Sequence, residues 1–414
     1  MCSHIYRSGI MAFLCDLPWI HFSLFPHGTT SVCCETEHKG GIGHGFDIDQ
    51  NNQRQILGVK DNNVADIVNC DSYKTIRKEM LAGKIPAACV GCKKIEDAGG
   101  RSKRIRDSNW KHDWKSITAP DGSITPDLRS IELRLGNHCN LKCRSCNAES
   151  STKWIKEYNL LKDKLPLASG YDAIKKEDRY SFDWVDTDEF YHDLLSHCDN
   201  LEELHISGGE PFLVPKHFKF LQTLLQQGKT DIRIGYHTNL NYDLDKIKPG
   251  LDILKEFKNV RFNLSLDDVG DRNAYIRNPA DWKLSIKNIR LFQENYPNIQ
   301  LMICQTVNVY NFLYVEELWD WLQKNDIDLY HYYNHVHSPD YQTAHIIPSN
   351  IRKEKLDNLK VKLPSHMYTD LMGRYYNDLE YPDSVETFKK FTLALDKSRG
   401  ENCLEVFPKL GSIL

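Results

Sequence analysis

Short apolar stretches alternate with amphipathic segments through the middle of the chain. The apolar stretches have the length and composition of buried strands, and the segments between them repeat apolar residues at helical spacing. The predicted strands are Ser130–Leu135, Glu203–Ser207, Arg233–His237, Val260–Ser265, Gln300–Thr306 and Leu329–Tyr333. The predicted helices are His217–Gln227, Asp245–Phe257, Trp282–Asn295 and Tyr314–Lys324. Alternation of this kind predicts an α/β fold with a parallel sheet and right-handed crossovers.

The regions on either side of this alternation have a different character. Residues 1–125 are rich in Cys, Gly and short polar connections, with one helix predicted over Ser72–Ala82, and Ala119–Pro126 has the composition of a linker. Residues 126–340 carry the strand–helix units, and residues 341–414 are predicted to be mainly helical. Six units without a second nucleotide-binding half favour an incomplete barrel, whose reacting groups lie where the strands end.

The composition of the chain limits the classes of binding partner and the cellular compartment that can be expected. The formal net charge is −4, so nothing indicates binding to nucleic acid, and the basic run Arg101–Arg106 is interpreted as a solvated face. No stretch approaches the roughly 18 apolar residues that span a membrane. The apolar stretch Ile10–Leu14 is too short for a signal peptide, which predicts a cytoplasmic protein with reduced thiols. Its 13 cysteines therefore indicate metal binding or chemistry rather than disulfides.

A group of three cysteines follows the first predicted strand of the alternating region. Cys139, Cys143 and Cys146 lie in the segment CNLKCRSC, where each thiolate can bind one iron of a cubane cluster. A cubane has four irons, so one iron is left open for a small molecule. A ferredoxin would supply a fourth cysteine nearby, but the next here is Cys198. The alternative is a zinc site that uses a distant fourth ligand or His138.

The C-x3-C-x2-C spacing after a first strand resembles the signature of the radical S-adenosylmethionine (SAM) superfamily. The resemblance implies a partial (β/α)6 TIM-like barrel and a 4Fe–4S cluster whose open iron binds the amino and carboxylate groups of SAM. It also implies an external one-electron reductant, such as flavodoxin or ferredoxin, and a 5′-deoxyadenosyl radical that abstracts hydrogen from a substrate. One position departs from the pattern: Ser145 stands where many members carry an aromatic residue near adenine.

Other segments match motifs that hold SAM in this family. Ser207-Gly208-Gly209-Glu210-Pro211 ends the second predicted strand, where glycines let the backbone approach a ligand and Glu210 can accept from an ammonium group. The segment resembles the family's GGE motif. On this resemblance Gly208, Gly209 and Glu210 bind the amino end of SAM.

Polar residues also follow the third and fourth predicted strands. Thr238 and Asn239 are similar to the family's TN segment, and Ser265 with Asp267 is similar to its SxD segment. In relatives these side chains lie near the ribose or the methionine part of SAM. Arg277 stands where several relatives place an arginine on the SAM carboxylate, a role that suits a planar guanidinium. The alternatives are helix caps for Ser265 and Thr238 and a surface ion pair for Arg277.

A second group of cysteines precedes the predicted barrel. Cys33 and Cys34 follow a turn between two predicted strands, Cys89 and Cys92 form a C-x2-C pair on a predicted loop, and Cys15 lies upstream. The two strands are Trp19–Phe25 and Thr30–Cys33. Such spacing is compatible with tetrahedral zinc or a second cubane. Neighbours in a strand point to opposite faces, so only one of Cys33 and Cys34 is expected to reach a shared site.

This N-terminal segment resembles the twitch and SPASM modules of radical SAM proteins, in the arrangement of the N-terminal-twitch members. The resemblance implies an auxiliary 4Fe–4S cluster on Cys15, Cys33, Cys89 and Cys92. Cys34 stays open as a replacement for Cys33, and a zinc ribbon stays open as the alternative site. The remaining cysteines are interpreted as packing residues: Cys2, Cys70, Cys198, Cys304 and Cys403.

The resemblance also implies a class of reaction. Relatives with twitch or SPASM modules often modify peptides or proteins, so a peptide substrate is the first hypothesis and a small molecule the second. A rival hypothesis from another class is a non-catalytic scaffold with two zinc sites. No catalytic acid or base is identified, although His237, Tyr236 and Asp267 are expected near the mouth of the barrel.

Overall fold

The computed structural model describes residues 13–36, 42–97, 99–107, 112–165, 167, 172 and 181–414. They form two compact units. The first is made of the described residues within 1–134 and 177–205, and the second of those within 135–176 and 206–414. The domain boundaries expected from composition, 1–125, 126–340 and 341–414, stay predictions. Within the described ranges no helix is long and apolar enough to cross a membrane.

Strands and helices are numbered in chain order. The strands are β1 His21–Leu24, β2 Thr30–Ser31, β3 Phe46–Ile48, β4 Arg54–Ile56, β5 Ser130–Leu135, β6 Glu203–Gly208, β7 Arg233–Thr238, β8 Asn259–Ser265, β9 Ile299–Val307 and β10 Tyr330–His335. Within the described residues, the first eight helices are α1 Leu17–Ile20, α2 Val64–Val68, α3 Asp71–Leu81, α4 Val90–Asp97, α5 Lys103–Asp107, α6 Ile155–Leu161, α7 Asp188–Leu195 and α8 Lys216–Gln226. The others are α9 Leu244–Leu254, α10 Gly270–Ile276, α11 Trp282–Asn295, α12 Glu317–Lys324, α13 Ser349–Asp357, α14 Ser365–Tyr375, α15 Val385–Arg399 and α16 Cys403–Val406.

In the first unit a parallel strand pair forms the centre of a small core. β1 pairs parallel with β5, with His21 opposite Ser130, and pairs antiparallel with β2. Phe22 and Leu133 are fully buried on the apolar face of this pair. β3 and β4 form a separate antiparallel hairpin. The pairing of β1 with β5 was not predicted, because the sequence gives β1 no strand–helix connection to β5.

Two local predictions for the first unit are wrong. The stretch predicted as one strand over Trp19–Phe25 begins inside a helical turn, because Pro18 lies at the start of α1 and sets a helical backbone angle. Only His21–Leu24 is extended. Cys89 and Cys92 were expected on a loop, but a 3-10 turn over Ala87–Cys89 leads directly into α4. The predicted helix Ser72–Ala82 is confirmed as α3, with a shift of one residue at each end.

In the second unit the strands β7, β8, β9 and β10 are adjacent and all parallel. Alternate side chains of these strands are buried in the core: Tyr236 and Phe262 pack edge-to-face, and Phe262 packs on Phe292 of α11. Asp281 caps α11 by accepting from two of its first backbone N–H groups, which fixes where the helix begins. The α/β fold with a mostly parallel sheet is confirmed.

The six predicted strands correspond to β5–β10. Most bounds differ by one or two residues, and the last strand runs over Tyr330–His335 rather than Leu329–Tyr333. The C-terminal region is mainly helical, as predicted. It packs through aromatic residues, with the Phe407 ring against the rings of Tyr275 and Tyr314.

Candidate functional site

The loop that carries the three central cysteines begins where β5 ends and is held by its own backbone. The N–H groups of Lys142 and Arg144 donate to the carbonyls of Asn278 and Ile276, over 2.6 and 2.7 Å. The indole N–H of Trp154 donates to the Cys143 carbonyl over 2.7 Å. The loop is therefore fixed on both sides of Cys143 by groups at or just after the end of α10, and at Cys143 itself by the indole that precedes α6.

The three thiols of this loop are close enough to influence one another. Burial, together with the neighbouring Cys143 sulfur, raises the pKa of Cys139 to about 12 and raises that of Cys146 as well. Burial also raises the pKa of Cys143, and the nearby Arg277 guanidinium counteracts this rise. As thiolates the sulfurs would repel each other at low dielectric, and the positive charge of bound iron would offset that repulsion. The donor set therefore fits an iron–sulfur cluster.

A cubane cluster and a single metal ion require different arrangements of their protein ligands. In the described ranges no three His, Cys, Asp or Glu side chains converge on one point as a single metal ion requires. In a 4Fe–4S cluster each cysteine binds a different iron, so the sulfur atoms lie around the cluster rather than around one ion.

The glycine pair of the GGE segment lies against the cysteine loop. Gly208 has a φ of 122°, a conformation that favours glycine. A Cβ atom on Gly209 would lie 2.3 Å from the His138 carbonyl oxygen, closer than atoms can approach. The Glu210 N–H donates to that same carbonyl over 2.8 Å. Gly209 is therefore required for backbone packing against the loop, a role beyond the ligand contact expected from the sequence.

Glu210 is the centre of a buried hydrogen-bond network. One carboxylate oxygen accepts from the Thr238 hydroxyl and the other from the Asn239 N–H, each over 2.8 Å. The Asn239 amide donates to the Asn140 side chain over 2.8 Å and lies 4.0 Å from the Cys139 sulfur. Burial raises the pKa of Glu210 to about 7, although these hydrogen bonds act in the opposite direction. The structure thus brings Glu210, Thr238 and Asn239 together beside the first cysteine.

Arg277 forms a buried ion pair instead of the surface pair considered as an alternative. Its Nε lies 2.8 Å from Oδ2 of Asp267, and its Nη2 lies 3.0 Å from Oδ1. Asp267 is fully buried, and its Oδ1 also accepts from the Thr306 N–H over 2.9 Å. The Arg277 Nη1 lies 4.0 Å from the Cys143 sulfur. Burial opposes the charge, but Asp267 raises the pKa of Arg277 above its usual range.

Ser265 ends β8 on the polar face of the sheet. It lies opposite Cys304 of β9 and is half-buried. The charge of Arg277 also acts on Cys304, which places this part of the sheet near the Arg277–Asp267 pair. Cys304 was interpreted as a packing residue, and its position next to the site was not anticipated.

Sequence reasoning missed Arg144, which lies inside the cysteine loop. Its Nη2 donates to Asp396 and Glu401 over 2.6 Å each, and the guanidinium lies 3.6 Å from the centre of the Tyr275 ring. The side chain is fully buried. It connects the loop to α15 and the residues after it. No signal could have shown this, because both carboxylates lie more than 250 residues away in the sequence.

A cavity of about 310 Å³ lies beside the third cysteine. Its lining joins Cys146 and Ser145 to the aromatic rings of Trp154, Tyr341 and Phe391. Ser145, where relatives carry an aromatic residue, thus faces a space whose aromatic surface comes from other elements. The cavity leaves room for an organic group next to the cysteine loop.

The second cysteine group also comes together, within the first unit. Burial raises the pKa of Cys33, and Cys34, Cys15 and Cys89 add to the rise; burial, Cys15 and Cys92 raise that of Cys89. The Cys34 thiol has other neighbours. Its pKa is raised to about 12 by burial and by the carboxylate of Glu132, and Lys103 opposes the rise. Cys33 is therefore the member of the adjacent pair that lies near Cys15 and Cys89. Whether the group binds iron–sulfur or zinc stays a prediction.

A comparison with protein families finds a match in the central part of the chain. Residues 133–323 match the sequence model described as Radical SAM superfamily. The chain carries a radical SAM domain. The matched range begins in β5 and contains the cysteine loop, the GGE segment and Arg277. The roles of individual residues in this radical SAM domain stay predictions.

Three solved structures show limited likeness to the chain. Native anSMEcpe with bound AdoMet and Kp18Cys peptide has 17% identity over 56% of this chain and 59% of its own, with a TM-score of 0.39. SuiB of Streptococcus suis, bound to S-adenosylmethionine, has 13% identity over 87% and 69%, with a TM-score of 0.32. TYW1 with a lysine-pyruvate adduct has 13% identity over 59% and 72%, with a TM-score of 0.31.

The chain spans about three fifths of the length of the first of these structures. At these TM-scores the likenesses carry no argument about the activity of this protein. No curated protein matches the chain in sequence.

Proposed function

We propose that the protein binds a 4Fe–4S cluster through Cys139, Cys143 and Cys146 and uses it to cleave SAM reductively. When bound and reduced, the cluster supplies the electron that breaks a carbon–sulfur bond of SAM, and the 5′-deoxyadenosyl radical so formed takes hydrogen from a substrate. The observation that carries the proposal is that four segments come together: the cysteine loop, the GGE segment, Thr238-Asn239 and Arg277. The Asn239 amide lies 4.0 Å from the Cys139 sulfur, and the Arg277 guanidinium lies 4.0 Å from the Cys143 sulfur.

Glu210 has two tasks in this proposal. Its carboxylate fixes Thr238 and Asn239 through two hydrogen bonds of 2.8 Å, which positions the Asn239 amide beside Cys139. It is also the buried acceptor for the SAM ammonium group, together with the backbone of Gly208 and Gly209. A buried carboxylate with a pKa near 7 gains most from a cation, because the cation compensates the cost of its burial.

Arg277 is proposed to bind the SAM carboxylate. Asp267 holds the guanidinium by two contacts, at 2.8 and 3.0 Å, and so fixes its plane. A fixed planar donor loses little freedom when it binds a carboxylate. Ser265 is proposed to contact the ribose from the end of β8, and the cavity beside Cys146 is proposed to admit the substrate or part of SAM.

For the first unit we propose an auxiliary 4Fe–4S cluster on Cys15, Cys33, Cys89 and Cys92. Cys15 and Cys89 raise the pKa of the Cys33 thiol, and this supports the choice of Cys33 over Cys34. Zinc is the alternative occupant of this site. A peptide is the proposed substrate class and a small molecule the second candidate; flavodoxin or ferredoxin in the cytoplasm is the proposed source of electrons. These choices rest on the resemblance to twitch-bearing proteins.

Iron and labile sulfide per chain, measured after anaerobic reconstitution, test the proposal. About eight irons support both clusters, and about four support one. A colourless protein loaded with zinc would contradict the proposal and support the non-catalytic scaffold. In that case Glu210→Gln and Arg277→Gln would leave zinc content unchanged, whereas the enzyme proposal predicts weaker SAM binding by the reconstituted variants in equilibrium dialysis.

A further inference from the structure

An arginine from the end of α15 lies against the backbone of Cys143. Arg399 is the last residue of this helix, and its Nη2 donates to the Lys142 carbonyl over 2.9 Å. Its guanidinium carbon lies 5.3 Å from the centre of the Trp154 ring, and the indole of that ring donates to the Cys143 carbonyl. The two peptide groups of Cys143 are therefore in contact with Arg399 or with the ring beside it.

A single carboxylate fixes the Arg399 guanidinium in this place. Glu157 of α6 accepts from Nε over 3.2 Å and from Nη2 over 2.7 Å. The same carboxylate accepts from Nζ of Lys142 over 2.6 Å. The two cations outnumber the carboxylate, so the group carries a net positive charge. Only 1% of the Arg399 side chain and 6% of the Glu157 side chain are exposed, so solvent and salt screen this charge weakly.

One nitrogen of the Arg399 guanidinium is left over. Among the residues that the structure describes, Nη1 is a buried donor without a hydrogen-bond partner. Nη2 directs one hydrogen to Glu157 and the other to Lys142, and the second of these lies on the edge that Nη2 shares with Nη1. Nη1 is therefore on the side of the cysteine loop. Because an unsatisfied buried N–H is costly, it points to an acceptor that is not a protein atom.

The positive charge of Arg399 also acts on the sulfur of Cys143. Burial raises the pKa of this thiol, and the charges of Arg277 and Arg399 both oppose the rise. Arg277 makes two contacts with the Asp267 carboxylate, which offsets its charge at the same sulfur. The charge of Arg399 is thus a separate contribution at Cys143, and it comes from a residue outside the matched range 133–323.

We propose that Arg399 donates a hydrogen bond through Nη1 to a sulfur atom of the cluster held by the central cysteines, and so makes the reduction of this cluster easier. Reduction adds one electron, and a nearby positive charge stabilises the more negative form. Hydrogen bonds to the sulfur atoms and the net charge around a cluster are among the factors that set its reduction potential. The inference rests on the proposed function and deepens it, because reductive cleavage of SAM requires the reduced cluster.

The midpoint potential of the central cluster, measured on the reconstituted protein by a redox titration with electron paramagnetic resonance, tests the inference. The signal of this cluster is the one that added SAM changes, because its open iron binds SAM. Arg399→Gln should lower the ratio of reduced to oxidised cluster at least tenfold at a fixed potential, which is about 59 mV for one electron. Arg399→Lys keeps the charge and should lower it less. Lys397→Gln, which removes an exposed charge from the same helix, should leave it unchanged.

Glu157→Gln separates an effect of charge from an effect of a loosened loop. This variant breaks the same ion pair, but it keeps the guanidinium and removes a negative charge, so the midpoint potential should rise. A fall in Glu157→Gln would assign Arg399 to loop structure and would overturn the inference. A wild-type midpoint potential in Arg399→Gln, or an equal fall in Lys397→Gln, would also overturn it. If Arg399→Gln retains no iron, the direction of the shift in Glu157→Gln decides.

Failure of the proposed function gives a different result. A wild-type protein that takes up no iron, or whose signal does not respond to SAM, would refute the proposed function and this inference together. A cluster that responds to SAM and shows the expected shifts, but forms no 5′-deoxyadenosine, would refute the cleavage of SAM and leave the role of Arg399 in place.

Discussion

Gly209 occupies the tightest backbone contact at the site. Since a Cβ atom there would meet the His138 carbonyl at 2.3 Å, Gly209→Ala must displace either the GGE segment or the cysteine loop. We expect a loss of about 1–3 kcal/mol in the free energy of unfolding and a lower iron content after reconstitution. Gly373→Ala is the control, because nothing lies within 4 Å of its Cβ position in α14. It should leave stability unchanged or raise it by up to about 1 kcal/mol. Equal urea midpoints for the two variants would contradict this account.

The Glu210 carboxyl should make stability depend on pH. Its folded pKa of about 7 lies above the ordinary value of 4.5, so the folded state prefers the protonated form. The contribution is therefore fully present below pH 4.5 and is lost as pH rises through 7. Glu210→Gln cannot ionise and lacks this loss. We predict that the stability of the cluster-free wild-type protein, relative to Glu210→Gln, decreases between pH 5 and pH 7.5.

Urea unfolding at the two pH values measures this difference. Glu294→Gln, at an exposed position of α11, should show no such trend. A constant or increasing difference between the wild-type protein and Glu210→Gln would contradict the assignment of a raised pKa.

At the scale of elements, Arg144 connects the cysteine loop to α15. Arg144→Ala leaves Asp396 and Glu401 without their shared partner, and uncompensated buried charge costs about 3–5 kcal/mol. We expect a lower urea midpoint and poor retention of iron, although no sulfur ligand is changed. The exposed Lys397→Ala in the same helix should shift stability by less than about 0.5 kcal/mol. If the free energy of unfolding fell no more in Arg144→Ala than in this control, the connection would contribute little to stability.

The turn after β2 provides a matched pair of variants for the first unit. Cys33 faces Cys15 and Cys89, and Cys34 faces Glu132 and Lys103. We therefore predict that Cys33→Ser loses about four irons per chain on reconstitution and that Cys34→Ser keeps them. Iron and sulfide analysis of the two variants decides the matter. Loss of iron in Cys34→Ser alone would reverse the assignment.

The elements differ in how far the sequence predicts them. β7–β10 could be predicted because short apolar stretches alternate along the chain with segments of helical spacing. The first unit is harder, because its strands are short and Pro18 starts a helical turn inside an apolar stretch. The residues of the central site could be predicted from motif spacing. Their ion-pair partners could not, because the pairs Arg277–Asp267 and Arg144–Asp396 depend on tertiary packing that leaves no local pattern in the sequence.

For the whole molecule, the radical SAM domain accounts for the placement of the chemistry. The cysteine loop, Glu210, Asn239 and Asp267 all follow strands of one parallel sheet at their carboxyl ends, where such sheets place their reacting groups. The proposed auxiliary site in the first unit is a separate addition to this domain. Its failure would not affect the central claim, which is that three cysteines hold a cluster able to cleave SAM.

Formation of 5′-deoxyadenosine tests that claim most directly. The reconstituted protein is mixed with SAM and dithionite without oxygen, and the product is quantified per chain. We predict that the wild-type protein and Cys70→Ala form it, since Cys70 packs beside Ser72 outside both cysteine groups, and that Cys143→Ala does not. Product formation by Cys143→Ala at the wild-type rate, or none by the iron-loaded wild-type protein, would contradict the account.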